Sequence, residues 1–130
     1  MGTFYTSCVV ENHVDRSKSV SVPKLLVDTG SEYTWIPVGM LDGIGVVREK
    51  KDLHFVMANG EVITRSTGFA IFRMEQHFTI DEVVFAEPGD LVLLGARTLE
   101  GLNLMVDSAQ ETGCRRPRAC RVREQGGWAY

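Results

Sequence analysis

Asp28-Thr29-Gly30-Ser31 is the segment of this chain whose residue types and order could do chemistry. The carboxylate of Asp28 follows directly on the apolar run Leu25-Leu26-Val27 and precedes a glycine. Such a carboxylate sits at the end of a buried strand, where the chain turns. There it can accept a proton or, opposed to a second carboxyl, share one. The plain alternative is a β-turn in which Asp28 caps its own backbone. No other aspartate has this setting. Asp42-Gly43 lacks the apolar strand and the Thr or Ser, Asp107-Ser108 lacks the glycine, and Asp15, Asp52, Asp81 and Asp90 stand in polar or turn surroundings.

Other chemistries find little support. His13, His54 and His77 are scattered, with no nucleophile in a recognisable frame. Gly39, Gly43 and Gly45 fit neither a phosphate loop nor a dinucleotide fingerprint. Cys8, Cys114 and Cys120 make an odd count, which argues against a disulfide framework. Zinc wants four close N or S ligands, and no histidine lies near Cys114 and Cys120. No metal or other cofactor is expected.

The elements that must position Asp28 read as short strands punctuated by turns, which predicts an all-β domain. Strand character runs over Phe4–Val10, Val20–Val27, Tyr33–Ile36, Glu61–Ser66, Gly68–Met74 and His77–Ala86. A bend is expected between the fourth and fifth of these. Leu91–Gly95 predicts a strand buried on both faces. Spacings of three and four allow a short helix within Gly39–Val47, and Ala96–Leu102 suits one or two helical turns. Ala58-Asn59-Gly60 lies between β-prone runs, and Asn-Gly is a strong hairpin signal because both residues tolerate positive φ.

Composition places the chain among ordinary globular proteins, with room for one domain. There is no run of 18 apolar residues, so no membrane partner is expected. Met1-Gly2-Thr3-Phe4 lacks the basic start and apolar stretch of a signal peptide, which makes cytoplasmic residence the default expectation. The formal charge of -3 is uneven: residues 1–110 hold nine Lys and Arg against fifteen Asp and Glu, whereas residues 111–130 hold five Arg against two Glu. The division expected is a domain over 1–107 and an Arg- and Gly-rich, disordered tail over 108–130. A basic tail can hold nucleic acid, but a solvated one is commoner, and nucleic acid is not expected as a partner.

Taken together, Val27-Asp28-Thr29-Gly30-Ser31 with Trp35-Ile36-Pro37, and Leu93-Leu94-Gly95-Ala96-Arg97 further on, resemble the aspartic protease clan. The single Asp-Thr-Gly and the length resemble the retroviral-type, or retropepsin-like, half-molecule. The resemblance spans roughly residues 4 to 107. It implies a closed, barrel-like aspartic protease half-molecule with a flap hairpin and one short C-terminal helix, active as a twofold homodimer. It also implies an aspartic endopeptidase, in which a water activated by the Asp28 pair hydrolyses an extended peptide or protein substrate.

Roles follow from the resemblance. Asp28, Thr29 and Gly30 would be catalytic, Thr29 by bonding across the dimer axis and Gly30 by letting the backbone approach the carboxylates. Ser31 would bond the outer oxygen of Asp28. Ala58, Asn59 and Gly60 would close over the substrate. Ile36, Val56, Met57 and Leu93 would form apolar walls, and Leu94 and Gly95 would buttress the active-site loop. Trp35 would pack beneath the flap or serve as a plain core aromatic. The competing readings are a non-cutting relative that binds peptides or dimerises, and a module whose tail holds nucleic acid.

Overall fold

A computed structural model describes residues 5–106 and 122–124. The strands are β1 (Tyr5–Asn12), β2 (Ser19–Val27), β3 (Thr34–Pro37), β4 (Lys50–Val56), β5 (Val62–Met74), β6 (His77–Ala86), β7 (Leu93–Leu94), β8 (Leu104–Val106) and β9 (Val122–Glu124). Two short helices, α1 (Val38–Gly43) and α2 (Ala96–Gly101), follow β3 and β7. No helix among the described residues is long and apolar enough to cross a membrane.

The first seven strands form one mixed sheet in the order β1-β2-β7-β3-β6-β5-β4, and β1 pairs also with β5. The expectation of a closed, barrel-like protease half-molecule with one helix is therefore corrected to a mixed seven-stranded sheet with two short helices. The physical reason lies in β5. Its thirteen residues form one unbroken strand, without the expected bend. Its first part pairs with β4, its last part with β1, and most of its length with β6. At Gly68 the segment before β4 comes in close: a Cβ there would fall 2.3 Å from the Val47 carbonyl oxygen. β8 and β9 form a separate two-stranded ladder. Part of the expected disordered tail, 122–124, is thus a strand; the remainder of 108–130 lies outside the described residues, as do Cys114 and Cys120.

Two apolar clusters hold the sheet. Leu25, Ile36, Leu41, Phe72, Leu94 and Leu99 belong to the larger one, and all are buried. The smaller is built on Trp35, Val84, Ala86 and Leu93, with Tyr33, Phe55 and Met57 packed against it. The two clusters reflect the period of two along β3: Trp35 points to one face of the sheet and Ile36 to the other. β7 needs only two residues because it lies between β2, to which it is parallel, and β3, which it meets at Trp35↔Leu93. That insertion brings the end of β2, and hence Asp28, beside Leu94.

Candidate functional site: the Asp28 cleft

At the end of β2 the chain turns, and the Ser31 N–H donates to the Asp28 carbonyl at 3.1 Å. The Asp28 carboxylate accepts the Gly30 N–H at 3.0 Å. Asp28 thus caps its own backbone, the plain geometry the residue types allowed. Its backbone N–H donates to the Leu94 carbonyl at 3.1 Å, which ties the turn to β7. Asp28 Oδ2 has no partner among the described residues.

The turn is held from behind by α2. A helix start leaves N–H groups without intrahelical acceptors, and Gly95, at the N-cap, offers no side chain to help. The carbonyls of the loop fill the gap: Ala96 N–H donates to Ser31 O at 2.8 Å and Arg97 N–H to Glu32 O at 3.2 Å. Gly95 N–H donates to Thr34 Oγ1 at 2.9 Å. This close approach requires the glycine, because a Cβ at Gly95 would lie 2.4 Å from Tyr33 O.

Facing the turn is the hairpin of β4 and β5. Its tip is closed by Gly60 N–H to Met57 O and Met57 N–H to Glu61 O, both at 2.8 Å. Gly60 alone takes positive φ, at 87°, while the Asn59 side chain accepts the Glu61 N–H. Phe55 anchors the hairpin to the sheet, edge-on to Trp35 at 5.2 Å and to Tyr33 at 5.6 Å between ring centroids. Such pairs add to simple area burial.

Between turn and hairpin lies a cleft of about 520 Å³. The structure brings Asp28, Gly30, Ser31, Val56, Met57, Ala58 and Leu93 together in its walls. It does not bring in Thr29, Asn59 or Gly60, which are exposed, nor Ile36, Leu94 and Gly95, which are buried away from it. Ser31 Oγ donates to Tyr33 O at 3.0 Å rather than to Asp28. Trp35 is buried in the smaller apolar cluster and meets Phe55 of the hairpin edge-on. Glu32, Tyr33, His54, Phe55 and Leu91 also line the cleft and were not singled out from the sequence. Alternation along β3 and β4, once the register was known, is the signal that finds Tyr33 and Phe55.

The shared-proton chemistry expected of an aspartic endopeptidase is not what this arrangement holds. No second carboxylate is opposed to Asp28 among the described residues. The carboxylates in ion pairs are committed elsewhere: Glu11 to Arg73, Asp42 to Arg48, Glu82 to Lys50 and Asp90 to Arg65. Asp81 accepts from Thr98 and faces Arg97. No three His, Cys, Asp or Glu side chains gather to hold a metal ion among the described residues. The aspartyl protease description, which rested on a retropepsin barrel and a carboxylate pair, is corrected accordingly.

Compared with protein-family models the chain finds no match, and compared with curated proteins it finds none.

Proposed function

We propose that this chain binds an extended peptide or protein segment in the Asp28 cleft. The observation that carries this reading is the cleft itself. A groove with an aromatic and aliphatic floor, covered by a hairpin, and with one free carboxylate oxygen suits a strand-like ligand. Backbone groups of such a ligand pair with neighbouring strands, and its side chains alternate into pockets. Binding is expected to favour large apolar residues, which Trp35, Phe55 and Leu93 can cover.

Peptide hydrolysis is a second reading, favoured by the unpartnered Oδ2 of Asp28. A carboxylate in that position can act as a base toward water. Self-association and cytoplasmic residence belong to the same proposal. Val56, Val62 and Leu91 are large apolar side chains left exposed on this chain, and two of them line the cleft. Cys8 is a free, buried thiol.

The test is a diverse peptide library presented to the wild type and to Asp28→Asn, followed by both retention and cleavage. Retained apolar peptides support the binding reading. Discrete cuts that vanish in Asp28→Asn support hydrolysis as well. A folded wild type that retains no peptide would overturn the proposal. Sedimentation across a concentration series tests self-association.

A further inference from the structure

The charges around the cleft are one-sided. Asp28 and Glu32 bring carboxylates into its wall, His54 lies in it, and no Lys or Arg lines it among the described residues. Residues 1–110 nevertheless carry nine Lys and Arg, so the absence is local to the cleft. Glu32 is exposed, and its carboxylate has no hydrogen-bond or ion-pair partner among the described residues. Its backbone is fixed by the Arg97 N–H, so the side chain projects from a held position. The arginine whose backbone holds Glu32 is itself engaged: the Arg97 guanidinium stacks on the Tyr33 ring at 5.1 Å from its centroid and faces Asp81 at 3.7 Å. The floor is apolar, through Trp35, Phe55 and Leu93.

Resting on the peptide-binding reading, we propose that the cleft selects segments in which a basic side chain stands beside apolar ones, and that Glu32 is the residue that makes this selection. The apolar neighbours cover the aromatic floor, while a lysine or arginine reaches the rim and pairs with Glu32. Asp28 adds a second negative charge to the same wall and disfavours acidic segments by like-charge repulsion. Complementarity of this kind sets specificity more than affinity. Because Glu32 is exposed, the effect is modest, about two- to five-fold for one exposed pair, and salt reduces it.

The test uses labelled octapeptides of Leu, Phe and Val with one position, walked along the peptide, set to Lys, norleucine or Glu. Binding is read by fluorescence anisotropy with the intact chain. At one position the wild type is expected to bind the Lys form about two- to five-fold more tightly than norleucine, and the Glu form more weakly. Glu32→Gln removes the preference for Lys, Glu32→Lys turns it toward Glu, and Glu100→Gln, at an exposed carboxylate outside the cleft lining, leaves it in place. Equal binding of Lys and norleucine forms at every position would overturn the selection while leaving the cleft reading intact. So would a Lys preference that survives both Glu32 variants. Failure to bind any of the peptides overturns the cleft reading and this selection together.

Discussion

The hydroxyl oxygens of Thr34 and Thr98 lie 2.6 Å apart, joining β3 to α2 across 64 positions of sequence, with both side chains fully buried. The direction of each proton follows from chemistry. Thr98 Oγ1 lies 2.8 Å from Asp81 Oδ2, and an ionised carboxylate can only accept. Thr98 therefore donates to Asp81, Thr34 donates to Thr98, and Thr34 accepts the Gly95 N–H. This relay fixes the start of α2 against the loop that carries the cleft wall.

Thr98→Val breaks the relay at its centre. It leaves the Thr34 hydroxyl without an acceptor and Asp81 without one of its donors. The expected loss is about 1–3 kcal/mol, the usual cost of leaving a buried polar group unsatisfied. Urea unfolding measures it, and Thr98→Ser, which keeps the hydroxyl, is expected to retain most of the stability. Equal losses in the two variants would point to methyl packing instead of the hydrogen bond.

Gly95→Ala and Gly39→Ala form a contrasting pair. At Gly95 the new methyl meets backbone atoms of Glu32 and Tyr33, which cannot move without shifting the loop. A cost of about 1–3 kcal/mol is expected from overpacking, together with weaker peptide binding. At Gly39, inside α1, a methyl meets nothing within 4 Å. That substitution is expected to be neutral or to stabilise by up to about 1 kcal/mol through helix propensity. Thermal unfolding of both variants decides the matter, and a tolerated Gly95→Ala would contradict the close approach.

Asp90 supplies an acid-side stability term. The Arg65 guanidinium grips its carboxylate with two bonds, of 2.7 and 2.8 Å. With the Glu87 N–H adding to this, the carboxyl is held below its ordinary value. A group lowered on folding stabilises above its unfolded value, near 3.9, and that stability is lost as pH falls through the folded value. Stability is therefore expected to decline below about pH 4 in the wild type. Arg65→Met, which removes the grip, is expected to lower stability at pH 6 and to flatten the acid decline. Parallel curves for the two proteins would show that the pair contributes nothing to it.

Cys8 is expected to resist alkylation. Burial pushes its thiol up to about 12, a backbone hydrogen bond at Arg73 lowers it only in part, and the nearby Glu11 carboxylate adds to the rise. The thiolate is the reactive form, so little of it exists at pH 8. In a Cys114→Ser, Cys120→Ser background, iodoacetamide at that pH should label the chain only under denaturing conditions. Rapid labelling of the native chain would place Cys8 in a more accessible setting than this.

Much of the local structure was legible in the residues. Strand character was legible over most of the strands, and Asn59-Gly60 marked the hairpin tip. These signals are short-range, because turn chemistry and side-chain period act within a few residues. The type of the tip was less legible: both central residues can take positive φ, but only Gly60 does.

By itself, then, the sequence determined a β-rich chain with a carboxylate at a turn after an apolar run, a hairpin and two segments able to form helical turns. Tertiary structure decided what that carboxylate meets. Pairing of distant strands set β7 between β2 and β3, which turned Trp35 toward the cleft and Ile36 into the core. Long-range pairing set β5, as one unbroken strand, beside three neighbours, where a closed half-molecule had been expected. The same folding put Glu32, Tyr33 and Phe55 into the cleft wall. Register fixes which face each side chain takes, and a shift of one residue reverses every face, so these outcomes depend on partners that lie far away in the chain.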